Sequence, residues 1–157
     1  MSIKIGVVGL GYWGPNLVRN FSKIRGCSIK WLSDLDACKL QEMKRLYPSS
    51  KVTTDYSYII KDKGTDAIII ATPFLTHYRL AKLALQAGKH VFIEKPFVSS
   101  SSEAQELIRI ARKNKLVLMA GYTYVYSPAV RKIKTIISSG GLGSAYYINS
   151  VRVNFGI

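Results

Sequence analysis

The chain has 157 residues, of which 48% are hydrophobic, 11% aromatic and 20% charged, a composition that excludes disordered and collagen-like classes and suits about one globular domain. Twenty-three Lys and Arg against nine Asp and Glu give a net charge of +14, which admits nucleic acid, an anionic membrane or phosphorylated small molecules as partners. No apolar run approaches the ~18–20 residues of a membrane span, and Cys27 and Cys38 are too few for a disulfide framework or a four-ligand zinc site.

Residues 3–9 form a β-branched run that stops at glycine, which predicts a buried strand. Structure begins there at once, without the cationic segment, apolar stretch and cleavage site of a signal peptide. The chain is therefore expected to be soluble, cytoplasmic and reduced. A helix follows over 12–24 with Trp13, Leu17, Phe21 and Ile24 at helical spacing, and Pro15 requires it to start near Tyr12 or Trp13. Next come a strand at 28–33, a helix at 37–46 ended by Tyr47-Pro48, a strand at 51–53, a helix at 56–61 and a strand at 66–71. Helix 76–87 ends at Gly88, and a strand covers 89–94. Ser99 to Ser102 offer hydroxyl caps for helix 103–113, with Glu103 and Glu106 in its first turns. A sixth strand covers 116–120. Strands alternating with helices across short loops predict an α/β domain over residues 1–120, its doubly wound parallel sheet covered on both faces.

After residue 121 the pattern changes. Gly121–Pro128 is an aromatic-rich connection, 129–138 a basic amphipathic helix, 140–143 a glycine turn, and 145–155 a weakly alternating strand. One helix and one strand cannot bury their apolar faces alone, so residues 121–157 read as the beginning of a second, α+β domain. The apolar surface they leave predicts either a disordered tail or strand pairing with another copy, hence a homo-oligomer. No acid lies beyond Glu106, while residues 107–157 carry eight bases. An acidic continuation would bring the total nearer neutrality.

The chemistry is concentrated at strand ends. Gly9, Gly11 and Gly14 form G-x-G-x-x-G between the first strand and the first helix. The first glycine allows the tight turn, the second lets backbone approach a pyrophosphate, and the third lets helix and strand pack closely. Asp34 stands twenty residues beyond Gly14, at the end of the second strand. A carboxylate there bonds a ribose diol and repels a 2′-phosphate, which favours NAD over NADP. Asp36 is the weaker candidate, since it is placed to cap the helix from Ala37.

Two further segments fall at strand C-termini, Ala71-Thr72-Pro73-x-x-x-His77 and Glu94-Lys95-Pro96. With Gly11-Tyr12-Trp13-Gly14-Pro15-Asn16-Leu17 and Gly121 to Val130, they make the whole chain resemble the glucose–fructose oxidoreductase/inositol dehydrogenase (Gfo/Idh/MocA) family. The stretch from Gly121 through Val153 looks most like members acting on nucleotide-linked amino sugars. The resemblance implies a Rossmann domain that binds NAD through Gly9, Gly11, Tyr12, Trp13, Gly14 and Asp34. It implies Lys95 as the active-site lysine, with Glu94 and Lys95 also touching the cofactor, in a turn shaped by Glu94 and Pro96 whose Lys-Pro bond is often cis. Thr72, Pro73 and His77 match positions lining the cofactor, and Tyr126 and Pro128 match the substrate-side connection. Relatives of this kind transfer hydride to or from a sugar or nucleotide-sugar hydroxyl or ketone. They continue for about as many residues again, adding an antiparallel sheet and an aspartate–histidine pair. Tyr122 departs from the family's usual histidine or asparagine.

Two other readings compete. One is a non-catalytic dinucleotide-binding module, or one half of a split protein. The other, a nucleic-acid binder, rests on charge alone: no RNA or DNA motif occurs and the basic residues are scattered over every helix. Arg131, Lys132 and Lys134 then read as a solvated face, and Cys27 and Cys38 as packing residues. No metal ligand set and no membrane partner are expected.

Overall fold

The computed structural model describes residues 2–151 and 153. The β-branched runs become strands β1 (Ile3–Val8), β2 (Cys27–Ser33), β3 (Lys51–Thr53), β4 (Ala67–Ile70), β5 (His90–Ile93) and β6 (Leu118–Ala120). All pair in parallel, in the order β3-β2-β1-β4-β5-β6. Helices α1 (Gly14–Ser22), α2 (Ala37–Leu46), α3 (Ser57–Lys61), α4 (His77–Gln86) and α5 (Ser101–Lys113) fill the crossovers. The strand order reverses between β1 and β4. A crevice therefore opens beyond the C-terminal ends of those two strands.

Alternation along β1 divides the core in two. Ile5 and Val7 pack with Leu17 and Val18 of α1 and Leu40 and Met43 of α2. Val8 packs on the opposite face with Ile59 of α3, Leu80 and Leu85 of α4, and Leu107 of α5. Each fully buried aliphatic side chain of this kind stabilises the fold by about 1.5–3 kcal/mol. The sheet is thus sandwiched, and its polar strand ends are left as the working edge.

Caps account for the element boundaries. Asp36 Oδ1 accepts the Cys38 N–H at 2.8 Å and starts α2. Ser100 Oγ accepts the Glu103 N–H at 3.2 Å, and Glu103 reaches back to the Ser99 N–H at 3.0 Å, so α5 begins two residues before its predicted start. Helix α1 ends at Ser22, because the Lys23 and Ile24 N–H groups turn to Asn20 and Phe21 in a tightened last turn. Trp13 and Ile24, expected on the apolar face of that helix, are 46% and 49% exposed. Cys27 packs against the core, but Cys38 lies on the exposed side of α2, so the packing role expected of it is not found.

The chain divides into two compact units, one ending at Gly121 and the other beginning at Tyr122. The second holds a short 3-10 helix at Thr123–Tyr126 and α6 (Pro128–Ser138). Within it, the Arg131 guanidinium lies 5.6 Å from the Tyr126 ring centroid. Of the strand expected at 145–155, residues 145–151 and 153 are not in strand, and the rest of that span lies outside the described residues. A lone strand has no ladder to satisfy its N–H and C=O groups. No helix among the described residues is long and apolar enough to cross a membrane.

At the sheet end opposite the crevice, one carboxylate ties three segments. Asp62 accepts the Trp31 indole N–H at 2.7 Å, the Thr65 hydroxyl at 2.9 Å and the Gly64 N–H at 3.0 Å, and pairs with Lys30 at 2.6 Å. Partial burial pushes its pKa up, but Lys30, Trp31, Thr65 and Gly64 outweigh that and hold the carboxyl below its ordinary 3.8. Asp62→Asn is expected to destabilise the fold by about 1–3 kcal/mol near neutral pH, by leaving part of this cluster unmatched. A depressed folded pKa contributes stability above the unfolded value and loses it as pH falls toward the folded one. The gap between variant and parent in urea midpoint should therefore narrow below about pH 4; a gap that stays constant into acid would remove Asp62 from this role.

Candidate functional site

Each glycine of the loop after β1 has its own steric reason. Gly9 has φ +94°, and a Cβ there would lie 2.6 Å from the Ala71 carbonyl and 2.7 Å from the Thr72 nitrogen. A side chain would prevent the β1 loop from closing against the end of β4. At Gly14 a Cβ would fall 2.1 Å from the Gly9 carbonyl oxygen, so only glycine lets α1 approach this closely. At Gly11 a Cβ would meet nothing within 4 Å. Its bareness serves no internal contact and leaves room for a ligand against the backbone. Among the described residues the N–H groups of Gly11, Tyr12 and Trp13 have no hydrogen-bond partner. They border the N-terminus of α1, where an anion is favoured.

Asp34 completes this cradle. Its Oδ2 accepts the Leu10 N–H at 2.6 Å and its Oδ1 the Asp36 N–H at 2.9 Å, which fixes the carboxylate beside the glycine loop. A carboxylate accepts about four hydrogen bonds, so both oxygens keep capacity for a diol. A groove of about 440 Å³ unites Gly9, Gly11, Asp34, Thr72 and Pro73. Bare backbone, unpartnered N–H groups and an anchored carboxylate together fit a dinucleotide.

The other expected site residues are not among those that line this groove. Gly14 is buried at the start of α1. Tyr12 and Trp13 stand 77% and 46% exposed on the glycine loop, their rings edge-on at 5.5 Å. Glu94 and Lys95 follow β5, where Glu94 Oε2 accepts the Lys95 N–H at 3.2 Å. Lys95 is exposed, its ammonium has no partner among the described residues, and the Lys95–Pro96 bond is cis. Tyr126 belongs to the second unit.

His77 is placed differently from a groove-lining residue. It is 1% exposed, with Nε2 2.9 Å from the Thr72 carbonyl and Nδ1 2.8 Å from the Pro96 carbonyl. Carbonyls only accept, so one neutral tautomer serves Thr72, the other serves Pro96, and the doubly protonated ring serves both.

The groove also contains residues the motifs did not single out: Leu35, Lys39, Thr54, Tyr56, Thr76 and Arg79. Arg79 donates to the Tyr56 hydroxyl at 3.3 Å, and the Thr72 and Thr76 hydroxyls meet at 2.6 Å. Leu35 and Thr54 each come directly after a strand or its next residue, so the strand-end rule that found Thr72 would have found them. Among the described residues no group of three His, Cys, Asp or Glu side chains is placed to hold a metal ion.

Comparison with known proteins agrees with this geometry. The family model for Gfo/Idh/MocA, described as an oxidoreductase family with an NAD-binding Rossmann fold, matches residues 3–122. The chain is 33% identical over 146 residues to an uncharacterized oxidoreductase of Bacillus subtilis, covering 93% of this chain and 43% of that protein. It is 27% identical over 146 residues to myo-inositol 2-dehydrogenase of Thermotoga maritima, covering 93% and 44%. Among solved structures, scyllo-inositol dehydrogenase of Lactobacillus casei, with bound NAD(H) and scyllo-inositol, superposes with a TM-score of 0.83 at 26% identity, covering 91% of this chain and 43% of that one. The chain thus spans less than half the length of the relatives it matches. Sheet order, glycine loop and family match converge: the chain belongs to the Gfo/Idh/MocA family of oxidoreductases and carries its NAD-binding Rossmann domain.

Proposed function

We propose that this chain is the cofactor-binding part of an NAD-dependent dehydrogenase that oxidises a hydroxyl of a sugar, cyclitol or nucleotide sugar, or reduces the corresponding ketone. The observation that carries the reading is the cradle of Gly9, Gly11 and Asp34 on the same sheet edge as the Glu94-Lys95-Pro96 turn. Gly11 and the α1 N-terminus hold the pyrophosphate, Asp34 holds the adenosine ribose diol, and Thr72 and Pro73 line the opposite wall. The bound nicotinamide supplies the hydride acceptor. Lys95 bonds the reacting hydroxyl and assists removal of its proton, while Glu94 steadies the lysine backbone. Tyr126 contributes on the substrate side, within a second domain that begins after residue 120. The inositol dehydrogenases among the relatives support the substrate class. The exposed Tyr146, Tyr147, Ile148, Val151 and Val153 suit a surface covered either by a further domain or by another copy in a homo-oligomer. A cytoplasmic setting suits two unpaired cysteines.

The test is NADH formation by the full-length protein against a panel of inositols, free sugars and nucleotide sugars. Substrate-dependent turnover with at least one class is expected. Undiminished NAD binding with no turnover on any of them would favour a non-catalytic dinucleotide-binding module.

A further inference from the structure

We infer that His77 is a positioning residue that couples the cofactor groove to the lysine turn, an inference that rests on the function proposed above. The β4 and β5 loops are adjacent but carry different tasks: Thr72 lines the groove, and Pro96 follows Lys95. His77, the first residue of α4, stands between them with one ring nitrogen on each loop's carbonyl, at 2.9 and 2.8 Å. Neither carbonyl has another hydrogen bond among the described residues. The ring is 1% exposed and meets Phe74 edge-on at 6.1 Å, so packing holds its plane. Among the described residues nothing holds the Lys95 ammonium directly, and the backbone of its turn is tied by Glu94 on one side and by His77 on the other. A displacement of Thr72 as the groove fills is therefore passed through one rigid ring to the residue next to Lys95. An aliphatic side chain here would fill the space but offer neither the Thr72 nor the Pro96 carbonyl a donor.

The probe is ADP-ribose, which fills the groove but has no nicotinamide to touch the lysine turn. In the isotope-labelled chain, the amide signals of Gly11 and Thr72 should shift on titration, and those of Lys95 and Phe97 should shift with the same concentration dependence. In His77→Leu the Lys95 and Phe97 response should be lost while that of Gly11 persists. His77→Gln, whose amide keeps N–H donors, should retain it. If Lys95 and Phe97 are silent in the parent while Thr72 responds, the coupling does not exist, whatever the variants do. An undiminished response in His77→Leu would also overturn the inference. Silence at Gly11 and Thr72 would instead refute the cofactor site itself, so the two failures are distinguishable.

Discussion

Lys95→Ala is expected to lower kcat of the full-length protein by at least ~100-fold, the usual scale for losing a general acid–base group, with a much smaller effect on NAD affinity. The lysine follows a buried strand, β5, whose Ile93 is fully enclosed, yet its own side chain is exposed at the crevice end of the sheet. A residue so placed contributes little to packing, so a large kinetic effect would be chemical rather than structural. Lys95→Arg should fail almost as badly, because a guanidinium keeps the charge but does not release a proton at working pH. Steady-state kinetics with calorimetric NAD binding separate the cases. A Lys95→Ala enzyme within a few-fold of the parent would remove Lys95 from the mechanism.

The glycine loop offers the second large effect, and it divides stability from binding. Gly14→Ala places a methyl 2.1 Å from a backbone oxygen, which no rotamer change relieves. The fold is expected to lose about 1–3 kcal/mol by overpacking, and displacement of α1 should weaken NAD binding as well. Gly11→Ala adds the same methyl in open space, so stability should change by less than ~0.5 kcal/mol. That methyl occupies the approach to the loop backbone, and NAD affinity should fall at least ~10-fold, about 1.4 kcal/mol. Thermal unfolding and NAD titration on both variants test the pair. Equal behaviour of the two, in stability and in affinity, would contradict the separate reasons assigned to Gly11 and Gly14.

Where signals were local, the sequence was legible almost to the residue. Helix α2 runs over 37–46 as read, because Asp36 caps one end and Tyr47-Pro48 closes the other. Strand β3 at 51–53 likewise matches. The glycine loop and Asp34 were legible because their spacing encodes a backbone geometry. Other features depended on what the fold brings together. The groove draws Thr54 and Tyr56 from beyond β3 and Arg79 from α4, residues with no shared motif. His77 reads from sequence as facing the cofactor, but the 3-10 turn at Phe74–Thr76 carries it under the surface before α4 begins. Apolar periodicity overran the end of α1 because Ile24 keeps the spacing after the hydrogen-bond ladder has tightened. The alternation at 145–155 named a strand without naming a partner, and pairing is what makes a strand.

On the proposed function, the groove between β1 and β4 holds NAD and Asp34 reads the ribose. Isothermal titration of the 157-residue chain with NAD and with NADP tests it most directly. One saturable NAD site is expected, preferred over NADP by at least ~10-fold, with the preference collapsing in Asp34→Ala as the diol loses its acceptor and the 2′-phosphate its repulsion. Equal or reversed preference in the parent would contradict the role of Asp34, and no binding of either dinucleotide would contradict the site.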